Sequence, residues 1–223
     1  DTCIAERVPV VLIGLGDPRP VMSELKEAGS RLVSVVGSPR AARNVADAGA
    51  DAVIVQGCEA GGHVGEVGTM TLIQTALRDV ACPVLAAGGI ATQCAVASAL
   101  AAGAAGVSVG TRFLASEESD AHEIYKQAVV DAHARSTLVT RACSGKPGRA
   151  LRSPFVEAWI ERDDEIDPYP ARAQEHYWRA WAGMVEGDWE NGYFPAGQCV
   201  ELIDDVLPAA RIVEELATLP VPA

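Results

Sequence analysis

The run Gln56-Gly57-Cys58-Glu59-Ala60-Gly61-Gly62-His63-Val64-Gly65 sets one histidine among four glycines. About a dozen residues separate Gln56 from the next helical stretch at Thr69, where a strand-to-helix connection usually takes about 2–6. Glycines let backbone N–H groups approach a planar or anionic ligand with no Cβ in the way. Imidazole is the side chain whose ordinary pKa suits proton abstraction near neutral pH. The chemistry this spacing offers is proton removal from a small substrate by His63. A plainer role for His63, a hydrogen bond to a loop carbonyl, carries less weight, because long loops after parallel strands are where function collects. His122, His133 and His176 fall on helical patterns and read as surface or packing residues. Cys58 and His63 have no second pair of ligands with them, so no zinc site is expected.

Two other segments point to a phosphate. Ala86-Ala87-Gly88-Gly89-Ile90 runs from a strand through paired glycines into a helix, which supplies backbone donors and the positive end of a helix dipole. Ser108-Val109-Gly110-Thr111 repeats that arrangement and adds hydroxyls. With the histidine loop one strand earlier, the economical reading is a phosphate-bearing cofactor whose reactive ring lies near His63.

These segments need a scaffold. Strands are predicted at Val8–Gly14, Arg31–Gly37, Asp51–Gln56, Pro83–Ala87 and Gly106–Gly110. Helices are predicted at Val21–Ala28, Arg40–Ala48, Thr69–Leu77 and Ala91–Ala102. Ala28-Gly29, Ala48-Gly49 and Ala102-Gly103 mark the helix-to-strand boundary three times, as left-handed caps do, and the continuous apolar strands suit a parallel sheet buried on both faces. Such repeats leave a doubly wound sheet or a (β/α)8 barrel. Gly14-Leu15-Gly16 lacks the third glycine of a dinucleotide fingerprint, because Arg19 stands there. The expected fold is therefore α/β, of the (β/α)8 TIM-barrel type. Only five of eight strands are counted, so the chain is expected to be N-terminally truncated, starting near the fourth strand.

Residues 1–118 are expected to form the later part of the barrel and residues 119–223 a helical extension or cap, with helices at Ala121–Ala134, Ala171–Glu186 and Asp204–Leu216. The four tryptophans, Trp159, Trp178, Trp181 and Trp189, read as core, and the acidic run Glu157–Asp167 as a solvated face. Arg141, Lys146, Arg149 and Arg152 form a local basic cluster. It suits either an anionic ligand or a solvated loop balancing nearby carboxylates.

Composition removes several classes. The 223 residues carry a net charge of −12, most of it after Thr111, which leaves no basic stripe for nucleic acid. Six scattered cysteines read as reduced thiols in a cytoplasmic protein, and no charged leader with an apolar stretch suggests secretion. Val80–Thr111 has no charged residue, yet Pro83 and five glycines interrupt it. It reads as a buried strand–helix–strand unit rather than a membrane span.

QGCEAGGHVG, VLAAGGIA, GAAGVSVGTRFL, TRACSGKPGRALRSPF and AGQCVELIDDVLPAARIV resemble the nitronate monooxygenases, FMN-dependent enzymes once called 2-nitropropane dioxygenases. The likeness covers essentially the whole chain. It implies a flavin-binding barrel in which His63 matches the catalytic base. Gln56, Gly61, Gly89 and the turn Ser108, Val109, Gly110 and Thr111 match FMN-contacting positions, beside the candidate cofactor-binding glycines Gly62 and Gly88. Arg31, Ser108 and Ser153 depart from the residues common in the family, and its first three strands are absent. The implied reaction is oxidation of alkyl nitronates by O2 to a carbonyl compound and nitrite. The implied partners are a small anionic substrate and O2, with a homodimer as the candidate assembly and no nucleic acid or membrane. A sister group, the FMN- and NAD(P)H-dependent enoyl-acyl-carrier-protein reductases, shares these motifs and is the alternative. A third reading, a non-catalytic half-barrel remnant, is separable from both by flavin titration.

Overall fold

The computed structural model describes residues 1–14 and 16–218, so Leu15 of the Gly14-Leu15-Gly16 run lies outside the described residues. Along them lie the strands β1 (Val10–Ile13), β2 (Arg31–Val36), β3 (Ala52–Gln56), β4 (Gly62–His63), β5 (Val84–Ala87), β6 (Gly106–Ser108), β7 (Thr137–Thr140) and β8 (Gly148–Leu151). The chain packs as two compact units. The first comprises Asp1–Cys58, Gly65–Ala87 and Ala97–Ser108; the second comprises Glu59–Val64, Gly88–Val96 and everything from Val109. The segments that leave β3, β5 and β6 at their C-terminal ends thus pack with the later part of the chain.

The first unit is built on a parallel sheet in the order β1-β2-β3-β5-β6. Apart from β4, which joins a different sheet, strand order follows chain order. A doubly wound sheet would reverse direction at a switch point, whereas a sheet that only steps forward is the barrel type. The fold is α/β with five parallel strands of the (β/α)8 class. Leu32, Val53, Val55, Val84 and Ala86 are fully or almost fully buried, as the apolar runs of β2, β3 and β5 predict, whereas Val10 and Leu12 of the edge strand β1 are more than half exposed. The carboxylate of Asp51 accepts the Leu32 N–H at 2.8 Å and an Arg31 guanidinium N–H at 3.0 Å, fixing the start of β3 against β2. The Leu32 bond is the main cause holding the Asp51 pKa below the usual carboxylate range. Gly29, Gly49 and Gly103 have φ of +89°, +100° and +101°, directly after the helices Arg19–Glu27, Pro39–Asp47 and Gln93–Ala101. This is the left-handed cap that the repeated Ala-Gly pair predicts.

At the other end of the sheet, Gln56 pairs with Ala87 and Ala87 with Ser108. Three adjacent strands therefore end level with one another, and each hands the chain to a glycine-bearing segment.

The second unit holds an antiparallel sheet, β4-β8-β7, which the reading of this region as helical misses. Its pairing puts His63 opposite Gly148 and Gly62 opposite Arg149. The miss has a local cause: β4 is two residues long, and β8 reads Gly-Arg-Ala-Leu, with no β-branched residue to signal a strand. The expected helices are present but shorter, at Glu123–Val130, Ala171–His176, Trp178–Met184 and Ala209–Ala217.

The core of this unit centres on Phe194 and Tyr125, whose rings meet edge to face at 5.2 Å, with Trp189 against Phe194 at 4.9 Å. The buried Ser153 hydroxyl donates to the Gly192 carbonyl at 2.9 Å and accepts the Val156 N–H, capping the short helix Pro154–Glu157. The tryptophans do not all enter the core. Trp178 and Trp181 are 52% and 61% exposed, because the helix that carries them buries the face bearing Ala182 and Gly183 and turns the other to solvent. The acidic run Glu157–Asp167 is largely exposed, as its composition predicts. No helix among the described residues is long and apolar enough to cross a membrane.

Candidate functional site

The site is built within the second unit, from the inside of the histidine loop outward. β4 and β8 hold His63 by strand pairing, extended by the Val64 N–H donating to the Pro147 carbonyl at 3.1 Å. The His63 Nε2 lies 2.7 Å from the Ser144 hydroxyl. Ser144 is buried in the turn between β7 and β8, and its oxygen accepts the Lys146 N–H at 3.2 Å. A buried hydroxyl whose lone pairs already serve one N–H is a fixed partner, so the imidazole is oriented rather than loosely tethered.

Burial, and next to it the positive charge of Lys146, hold the His63 pKa below the ordinary 6.5. At neutral pH the imidazole is therefore uncharged, the state a general base requires. His63 must lose its proton before it can accept one from substrate. Any proton abstraction it performs should thus fall away only as pH drops below about 6.5, and hold constant above it.

A second feature joins the loop to the glycine corners. The segment Ala196-Gly197-Gln198 lies between Glu59–Gly61 on one side and Thr111 on the other. The Gln198 N–H donates to the Glu59 carbonyl at 2.8 Å, and the Gly197 N–H to the Thr111 hydroxyl at 3.0 Å. A Cβ on Gly61 would stand 2.9 Å from the Ala196 backbone, and one on Gly197 only 2.7 Å from the Glu59 carbonyl oxygen. Neither glycine has positive φ; Gly197 sits at φ −80°. They are glycines for lack of room. The Thr111 hydroxyl, a ligand contact in the sequence reading, is turned to this segment.

Gly88 and Gly89 take φ of +98° and +74°, conformations that other residues adopt only at a cost. The Cβ position of Gly89 faces Glu59 at 3.5 Å, which places this corner beside the histidine loop. Cβ atoms added at Gly62 and Gly110 would meet nothing within 4 Å. Both positions leave room for a ligand to approach the backbone. Gly61, Gly62, Gly88, Gly89, Val109, Gly110 and Thr111 are thus gathered around His63's loop in one unit. Gln56 and Ser108 belong to the sheet, at the ends of β3 and β6.

Among the described residues no three His, Cys, Asp or Glu side chains converge on a point that could hold a metal ion. The basic cluster separates. Arg141 pairs with Asp163 and Arg152 with Glu157, both on the surface, while Arg149 is buried and donates to the Thr137 hydroxyl. The positive charge of Lys146 acts on His63. Ser144 and the Ala196–Gln198 segment are the parts of the site that residue chemistry overlooked, although both lie inside the motifs that carry the family likeness.

The nitronate monooxygenase family profile matches residues 1–218. The chain belongs to the nitronate monooxygenase family. FabK from Thermotoga maritima superimposes with a TM-score of 0.89 at 46% identity, covering 96% of this chain and 68% of that one. A nitroalkane oxidase from Streptomyces ansochromogenes gives a TM-score of 0.85 at 37% identity, covering 96% and 65%. The (3aS,4S,5R,7aS)-5-hydroxy-7a-methyl-1-oxo-octahydro-1H-indene-4-carboxyl-CoA dehydrogenase of Mycobacterium tuberculosis is 33% identical over 254 residues, covering 96% of this chain and 71% of the relative. The names describe a monooxygenase, an oxidase and a dehydrogenase, so the family is one of oxidoreductase enzymes. The chain spans between about half and seven-tenths of the length of the curated relatives it matches.

The open glycine corners carry a test of their own. Gly110 has a negative φ, −111°, and open space where a Cβ would go. Gly110→Ala should leave stability within about 0.5 kcal/mol. If a cofactor lies against this corner, the same methyl should lower its affinity at least tenfold, read by flavin fluorescence titration beside a thermal melt.

Proposed function

We propose that this protein oxidises alkyl nitronates with O2 to a carbonyl compound and nitrite, using FMN, with His63 as the catalytic base. The observation that carries the reading is the fixed, uncharged imidazole at 2.7 Å from Ser144, on a loop strapped to the corner at Thr111, with open space at Gly62 and Gly110. Membership of the nitronate monooxygenase family supports it, as does the likeness to a nitroalkane oxidase.

The backbone of Gly61, Gly62, Gly88, Gly89, Val109, Gly110 and Thr111 would hold the cofactor, its phosphate near the paired glycines; Gln56 and Ser108 are assigned to the same task from the sequence resemblance. When bound, FMN supplies the electron transfer between substrate and oxygen that no side chain can perform. The chain's own contribution is protonic and electrostatic. His63 removes the proton on the carbon bearing the nitro group of a neutral nitroalkane, and Ser144 keeps the ring aimed while it does so. A substrate that arrives as the nitronate has already lost that proton and needs His63 for binding alone.

The alternative is reduction of an enoyl thioester with NAD(P)H, which the likeness to a dehydrogenase of a carboxyl-CoA substrate favours. One preparation separates the two. The full-length protein should show a bound-flavin spectrum that is bleached anaerobically by propionate 3-nitronate, and should release nitrite in air. Bleaching by NADH alone, with crotonyl-thioester turnover and no nitrite, would sink the nitronate reading.

A further inference from the structure

We propose that Lys146 is the anion-recognition residue of the His63 site, selecting substrates that carry negative charge at the reacting end over their neutral counterparts. The inference rests on the reading of His63 as the base and adds the class of group presented to it.

Lys146 sits two residues before Gly148, the strand partner of His63, and its own N–H donates to the Ser144 oxygen that touches the imidazole. The turn that carries it is rigid. Gly145 has φ +80°, and a Cβ there would lie 2.5 Å from the Tyr169 nitrogen and 2.6 Å from the Asp167 carbonyl oxygen. Backbone packed that tightly leaves the Ser144-Gly145-Lys146 turn one position to occupy. The ammonium rests 4.0 Å from the centre of the Tyr169 ring, a contact that places a cation without cancelling its charge.

Its neighbours are differently disposed. Arg141 and Arg152 are paired with carboxylates, whereas no carboxylate lies within ion-pair distance of Lys146 among the described residues. From the packed turn the neutral Ser144 hydroxyl touches the imidazole, and the charge of Lys146, two residues on, acts on it. An unneutralised cation, half-buried beside a neutral base, attracts an anion strongly and a neutral molecule hardly at all. A nitronate is such an anion, with its charge on two oxygens in a plane that a lysine can meet; a nitroalkane is not.

The test uses inorganic nitrite as the anionic probe and nitroethane as the neutral one, with binding followed by the His63 ring resonance of the full-length protein. The resonance is assigned by its loss in His63→Gln. Wild-type protein and Lys146→Arg should bind nitrite alike, and Lys146→Met should bind it about tenfold more weakly, the scale of one charge-assisted contact. Nitroethane affinity should be the same in all three. In turnover, KM for ethyl nitronate should rise about tenfold in Lys146→Met while KM for nitroethane stays within twofold. Equal nitrite binding by Lys146→Met and wild type would overturn the proposal. So would equal loss in Lys146→Arg and Lys146→Met, which would assign the residue a packing role. Failure of the nitronate reading shows separately, as absence of nitrite release by protein that still binds the probe.

Discussion

His63→Gln should lower turnover of neutral nitroalkanes by about 10²–10⁴-fold, the usual worth of a positioned general base. Glutamine keeps a polar, planar group of similar reach, so the contact to the buried Ser144 hydroxyl can persist and the fold should hold. What is lost is the ability to take a proton at neutral pH. With a preformed nitronate the expected loss is much smaller, because the proton is already gone. The pH profile gives an independent check. In the wild type the acid limb for nitroalkane turnover should fall below pH 6.5, since burial and Lys146 both disfavour the imidazolium. In Lys146→Met one of those two causes is removed, and the limb should move up toward 6.5. A His63→Gln enzyme equally slowed on nitroalkane and nitronate would mean that the imidazole only binds.

Gly197→Val should destabilise the protein by about 3 kcal/mol, at the upper end of what overpacking costs. Its Cβ would lie 2.7 Å from the Glu59 carbonyl oxygen, 3.2 Å from the Gly61 nitrogen and 3.3 Å from the Thr111 hydroxyl. Two of these atoms are backbone and cannot rotate away. The third is held by the hydrogen bond from the Gly197 N–H. At roughly 2–4 °C per kcal/mol for a chain of this size, Tm should fall by about 6–12 °C. The same collision pushes Glu59–Gly61, and hence the strand that bears His63, away from the corner at Thr111. Flavin should accordingly be lost at temperatures where the mutant is still folded. A variant that melts like the wild type and keeps its flavin would show that this segment is not the strap the geometry describes.

The sequence by itself determines the repeating βα frame, the strand ends that matter and the histidine. Those signals are local: a left-handed glycine after each helix, unbroken apolar strands, and one loop too long for its connection. The forward strand order β1-β2-β3-β5-β6 follows, because short parallel crossovers leave few other choices. What the tertiary structure alone decides is what surrounds the imidazole. Ser144 and His63 are 81 residues apart, and Gly197 and Thr111 are 86 apart. No periodicity spans such distances, and neither residue type announces its partner. The four-residue strand β8 has no strand-forming composition, yet its pairing with β4 sets where His63 sits. The four cations between Arg141 and Arg152 look alike in sequence. Tertiary packing distinguishes them, because whether a charge is cancelled or left to act depends on which carboxylates the fold brings near it.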